Sequence, residues 1–122
     1  MAKTVLIVED DDLNLRFFTE LLTWKGYRTR VARTGAGALA EAQAERPDLI
    51  LLDIELPDDS GLSVAGRLRD DAGLADVPVV AVTASALAGD ADRARAGGCA
   101  AYVSKPVSMH GFLDVVRKFA QD

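Results

Sequence analysis

Asp48-Leu49-Ile50-Leu51-Leu52-Asp53-Ile54-Glu55-Leu56-Pro57 is the stretch whose reading decides the fold. Leu49 to Leu52 are four aliphatic residues in a row, the pattern of a strand buried on both faces rather than one. The run stops at the carboxylate of Asp53. Pro57 and the cluster Asp58-Asp59-Ser60-Gly61 then turn the chain outward. In an open α/β sheet, ligands bind at the carboxyl ends of the strands. Asp53 is therefore the residue around which the remaining chemistry has to be sought.

Upstream, Thr4 to Val8 reads as a short buried strand that ends on four consecutive acids, Glu9-Asp10-Asp11-Asp12. Asp11 or Asp12 caps the helix that follows, since negative charge suits a helix N-terminus. That helix is expected over roughly Leu13 to Lys25, with Phe17, Phe18, Leu21 and Leu22 as its apolar face, and Gly26 stops it. Tyr27 to Ala32 alternates as a second strand. Thr34-Gly35 leads into an alanine-rich helix, Ala36 to Glu45, which ends before Pro47.

Downstream, Ser60 is positioned to cap a third helix carrying Leu62, Val64, Ala65 and Leu68. After a loop from Asp70 to Pro78, Val79 to Thr83 is another doubly buried strand. Ala84 to Gly89 reads as a loop or a frayed helix start. An Ala/Arg/Asp-rich helix of low intrinsic propensity follows and ends at Gly97-Gly98. Ala101 to Ser104 is the last strand. Met109 to Ala120 is the last helix, with Phe112, Leu113, Val116 and Phe119 on one face. Strands alternating with helices specify an α/β, doubly wound, five-stranded parallel sheet of flavodoxin-like (βα)5 type, in the order 2-1-3-4-5. No repeat, linker or low-complexity stretch interrupts it, so residues 1–122 are read as a single domain without an output domain.

Composition narrows the function classes. The chain has 122 residues and a formal charge of −5, which argues against binding nucleic acid or an anionic membrane through charge. Cys99 is the one cysteine, so no intrachain disulfide can form, in keeping with a reducing compartment. No signal peptide is seen, and no apolar run reaches the ~20 residues of a membrane helix. A cytoplasmic location is expected.

In the order 2-1-3-4-5 the first and third strands are neighbours, so Glu9, Asp10 and Asp53 converge. Three carboxylates in one crevice repel one another, and at least one would resist ionisation without a counterion. A hard divalent cation removes the conflict, and Mg²⁺ takes oxygen ligands of this kind while keeping waters. Thr83 ends the fourth strand and offers a hydroxyl to the same crevice. Lys105 follows the fifth and is the nearest cation in this topology; Lys105-Pro106 is an X-Pro bond at a sharp turn. A metal, a lysine and a hydroxyl around an aspartate form a cradle for a phosphoryl group, with Asp53 as the nucleophile. Asp11, Asp12, Asp58 and Asp59 are read instead as helix caps and solvated turn residues.

At this point the chain resembles a known family, the receiver domain of two-component response regulators, in its single-domain type. The residues that carry the resemblance are Leu6-Ile7-Val8-Glu9-Asp10-Asp11, Asp48 to Asp53, Leu56-Pro57 with Gly61, Val79 to Ala84, Gly97-Gly98-Cys99 and Tyr102-Val103-Ser104-Lys105-Pro106. The resemblance implies that Asp53 is the phosphoacceptor and that Glu9 and Asp10 hold Mg²⁺ with it. The backbone carbonyl of Glu55 is implied as a further ligand. It implies that Thr83 is a switch hydroxyl, that Lys105 pairs with the phosphoryl group and that Tyr102 swings inward when Thr83 moves. It further implies a histidine kinase or histidine phosphotransferase as donor, and a downstream protein effector reading the surface of the last two helices and the last strand. The protein is then a monomer or a phosphorylation-dependent dimer, and not an enzyme beyond its own phosphorylation and slow dephosphorylation.

Two readings of Glu55 stay open: a side chain that pairs with Lys105 and sets the lifetime of the acyl phosphate, or a residue whose backbone alone matters. His110 is read as a surface residue of the last helix. Cys99 is read as a small buried residue and Trp24 as packed at its helix end, with a partner contact as the alternative. Asn14 is read either as approaching the rim of the pocket or as a plain polar helix residue. Arg93 and Arg95 are read as a solvated face. Two other functions compete. A Mg²⁺-dependent phosphohydrolase of the haloacid dehalogenase kind would place a second aspartate where Glu55 stands, and a flavin module would need a phosphate loop where Glu9 to Asp12 are acidic.

Overall fold

A computed structural model describes residues 3–54, 56, 58, 61–83, 99–104 and 108–120. Within them the chain runs β1 (Thr4–Val8), α1 (Asp12–Trp24), β2 (Arg28–Ala32), α2 (Gly35–Ala44), β3 (Leu49–Asp53), α3 (Gly61–Asp70), β4 (Val79–Thr83), β5 (Ala101–Ser104) and α4 (Met109–Phe119). The strands form one parallel sheet in the order β2-β1-β3-β4-β5, as the alternation of elements specifies. The expected Ala/Arg/Asp-rich helix before Gly97-Gly98 lies outside the described residues, as does Ser60, the expected cap of α3.

The doubly buried reading of the strands has a direct structural cause. Successive side chains of a strand point to opposite faces. Leu6, Val8, Ile50, Leu52, Val79 and Ala81 pack on one side against Ala38 and Ala42 of α2 and Val64, Ala65 and Leu68 of α3. Val5, Ile7, Leu49, Leu51, Val80 and Val82 pack on the other against Leu15, Phe18 and Leu22 of α1 and Phe112, Leu113 and Val116 of α4. Each fully buried Leu or Phe contributes roughly 1.5–3 kcal/mol relative to solvent, so both faces of every central strand must be apolar. Phe18 and Phe112 stack at 4.8 Å between centroids and join α1 to α4.

The helix ends follow local chemistry. Asp11, rather than Asp12, caps α1, its carboxylate accepting the Asn14 amide at 2.9 Å. Gly26 closes the helix at φ 90°, which a glycine adopts without strain; its amide donates to the Thr23 carbonyl, and the Tyr27 amide donates to that of Leu22. Thr34 caps α2 through its hydroxyl, and Ser108 caps α4 in the same way.

Two expectations for α1 are corrected. Phe17 is 39% exposed rather than part of the core face, and Trp24 is 70% exposed rather than packed. At 3.6 residues per turn, Leu13, Phe17 and Trp24 share a stripe roughly opposite Leu15, Phe18 and Leu22, and the sheet covers only the latter. β2 begins at Arg28, one residue later than expected, and as an edge strand it carries exposed residues at Arg28 and Val31.

Candidate metal and phosphoacceptor site

The strand register builds the site. Val8 stands level with Leu52 on β3 and with Ala32 on β2, so the residues after them emerge side by side at the carboxyl edge. Glu9 follows Val8, Asp53 ends β3, and each is buried, at 1% and 4% exposure. Asp10 is exposed at the rim. One carboxylate oxygen from each of these three residues lies within 4.8 Å of the others. The expected convergence of Glu9, Asp10 and Asp53 is therefore present.

The Glu9 carboxylate accepts the amides of Asp10 and Asp11 at 3.1 and 3.3 Å, which shapes the turn between β1 and α1. Burying carboxylates costs several kcal/mol each unless charge and hydrogen bonds compensate. Three hard oxygen donors converging on one point, two of them buried, fit a hard cation such as Mg²⁺.

Behind Asp53 the chain is held tightly. The Ile54 amide donates to the Val82 carbonyl at 3.1 Å, and the Gly61 amide donates to the Ile54 carbonyl at 2.7 Å. Gly61 opens α3, so the end of β3 and the start of α3 are in direct contact.

On the β2 side, Arg33 reaches the acidic turn. Its Nη1 lies 2.7 Å from a carboxylate oxygen of Asp12 and donates to the Asp10 carbonyl at 3.3 Å. Asp58, from the loop after β3, accepts the amides of Gly35 and Ala36 at 2.8 and 3.2 Å. Those two amides hold its carboxyl below the ordinary value of 3.8. Asp58 is thus a helix cap, as expected, but of α2, across the fold, and not of its own helix.

Thr83 is the last residue of β4, paired with Ser104, one step beyond the Val82 that stands level with Asp53; its side chain lies outside the description. Tyr102 is half-buried on β5 against the core on the α2 and α3 side. Lys105 and Glu55, and with them both readings of Glu55, lie outside the described residues, as do Asp59, Arg93 and Arg95. His110 is exposed on α4. Asn14 is half-exposed in the first turn of α1, where its backbone amide is the group held by Asp11. Cys99 is buried, and burial pushes its thiol up to about 11. Arg33 escaped the sequence reading. The signal was available: it directly follows β2, so the strand order places it beside the residues that follow β1.

A doubly wound parallel sheet thus brings an acidic turn and a terminal aspartate together at its carboxyl edge. The chain belongs to the response regulator receiver domain family of two-component signalling, whose model matches residues 5–117. It is 48% identical over 122 residues to the polar-differentiation response regulator DivK of Brucella anthropi, a match that covers 100% of this chain and 99% of the relative. DivK of Brucella melitensis is equally similar, at 48% over the same span. Among solved structures, a putative response regulator from Chloroflexus aurantiacus superposes with a TM-score of 0.95 at 25% identity, covering 100% of both chains. The receiver domain of a sensor histidine kinase from Pseudomonas aeruginosa superposes with a TM-score of 0.91 at 29% identity, covering 100% of both, and carries a magnesium ion coordinated in its active site cleft. No helix among the described residues is long and apolar enough to cross a membrane.

Proposed function

We propose that this chain is a single-domain response regulator of a phosphorelay, cytoplasmic, which accepts a phosphoryl group on Asp53 from a phosphohistidine. The observation that carries the reading is the convergence of Glu9, Asp10 and Asp53 within 4.8 Å. Glu9, Asp10 and Asp53, with the backbone carbonyl of Glu55, would hold Mg²⁺, which supplies positive charge against the carboxylates and the incoming phosphoryl oxygens.

The carboxylate of Asp53 is the nucleophile. One of its oxygens forms the bond to phosphorus while the phosphorus–nitrogen bond of the donor breaks, and the departing imidazole takes a proton from water. Burial at the strand end keeps that carboxylate in one orientation. Lys105, directly after β5, pairs with the phosphoryl oxygens, and the Thr83 hydroxyl moves onto them. Tyr102 turns inward as Thr83 moves, and the surface around β5 and the last helices changes shape. The output is a protein contact with a downstream effector, the donor is a histidine kinase or histidine phosphotransferase, and neither nucleic acid nor membrane is engaged. The chain acts as a monomer or a phosphorylation-dependent dimer, with no turnover beyond its own phosphorylation and slow dephosphorylation.

Incubation with acetyl phosphate, with and without Mg²⁺, followed by intact-mass measurement tests this. One Mg²⁺-dependent phosphoryl adduct, absent in Asp53→Asn, is expected. An adduct that persists in Asp53→Asn, or turnover of small phosphomonoesters, overturns the reading.

A further inference from the structure

We propose that the segment from the end of β2 into α2, Arg33 to Ala36, is a brace between the Asp10 turn and Asp58 that adjusts how Asp10 stands relative to the end of β3 and so tunes cation affinity at the pocket. The segment grips both at once. On one side the Arg33 guanidinium holds the start of α1 through the Asp12 carboxylate at 2.7 Å and the turn before it through the Asp10 carbonyl at 3.3 Å. On the other, the amides of Gly35 and Ala36 hold the Asp58 carboxylate at 2.8 and 3.2 Å.

The turn is itself anchored. Ala32 accepts the Glu9 amide at 3.0 Å, and the Thr34 hydroxyl caps α2 by accepting the Gly37 amide at 3.0 Å. Asp53 ends β3, five residues before Asp58. Arg33 holds the Asp10 turn by its backbone carbonyl, and Asp58 holds the amides of Gly35 and Ala36, so both act by positioning.

The two grips lie in series along one path from the Asp10 turn to Asp58. Cutting either one releases the same constraint, and cutting both releases nothing more. The charges of the two residues predict a different pattern. Arg33 is cationic beside a cation site, so its loss on charge grounds alone tightens Mg²⁺. Asp58 is anionic, so neutralising it on charge grounds alone weakens Mg²⁺ whether or not a hydrogen-bond acceptor remains.

This inference rests on the reading of the pocket as a Mg²⁺ site. Calorimetric titration of the full chain with magnesium chloride at fixed ionic strength tests it, with far-UV dichroism and melting of every variant confirming the fold. Arg33→Met and Asp58→Ala are each expected to weaken Mg²⁺ binding about threefold, the size that solvent-exposed contacts can supply. The double variant is expected to lose no more than either single one, and Asp58→Asn, which keeps an acceptor oxygen, to retain most of the affinity. Tighter binding in Arg33→Met, equal losses in Asp58→Asn and Asp58→Ala, or losses that multiply in the double variant overturn the brace. So do variants that bind as tightly as the parent chain, which leaves the metal reading intact. No binding by the parent chain overturns the metal reading and the brace with it.

Discussion

Gly61 stands against the backbone of Asp53. A methyl group built on Gly61 would lie 2.5 Å from the Asp53 carbonyl oxygen and 2.4 Å from the Ile54 Cα. Neither neighbour is a movable side-chain tip. The space between the end of β3 and α3 is thus closed to any side chain, and the backbone of the candidate nucleophile is located by its contact with the following helix.

Gly61→Ala is therefore expected to push the end of β3 away from α3. Overpacking of this kind costs about 1–3 kcal/mol, read as a lower urea midpoint at unchanged slope. Because the displaced atoms include the carbonyl of Asp53 itself, phosphorylation by acetyl phosphate should slow beyond what the lost stability explains. A variant of parental stability and rate would show that the contact yields without consequence.

Neutralising one carboxylate should relieve repulsion in the pocket. Asp10→Asn replaces one of three carboxylates gathered within 4.8 Å by a neutral amide. Relief of about 1 kcal/mol is expected at an effective dielectric between that of water and the protein surface, or a rise of about 4 °C in the metal-free melting temperature. Mg²⁺ at 100 times its dissociation constant stabilises the parent chain by about 2.7 kcal/mol, and the same concentration should stabilise Asp10→Asn less. Scanning calorimetry with and without Mg²⁺, at matched ionic strength, reads both effects.

Cys99 provides a pH signature. Its thiol ionises at about 11 in the fold, against an ordinary 9.0, because burial disfavours the thiolate. Above pH 9 the unfolded chain loses this proton first, so stability falls as pH rises between 9.0 and about 11. Cys99→Ala should lack that component of the alkaline loss. At pH 8 iodoacetamide should label the native thiol far more slowly than the urea-unfolded one, as mass spectrometry will show.

Two aromatics of α1 and α4, Trp24 and Phe112, should differ sharply on truncation. Phe112 is 2% exposed and stacked on Phe18, so Phe112→Ala is expected to cost about 3–5 kcal/mol. Trp24 is 70% exposed, so Trp24→Ala should stay within about 0.5 kcal/mol of the parent. Denaturant midpoints of the two variants decide this.

The sheet and its order were legible because their cause is local. Runs such as Leu49-Ile50-Leu51-Leu52 and Val79-Val80-Ala81-Val82 have no polar residue to give to solvent, which demands helices on both faces, and parallel connection then brings Glu9, Asp10 and Asp53 together. Which acids serve the site and which serve as caps depends on distance through the fold. Asp53 and Asp58 lie five residues apart in equally acidic surroundings, yet one is buried among carboxylates and the other holds the amides of Gly35 and Ala36. The grip of Arg33 on the Asp10 turn spans 23 residues, and the rotation of α1 alone decides that Phe18 is covered while Phe17 and Trp24 face outward. Periodicity and turn chemistry are written in neighbouring residues; register, helix rotation and cross-loop contacts exist only once separate segments have packed.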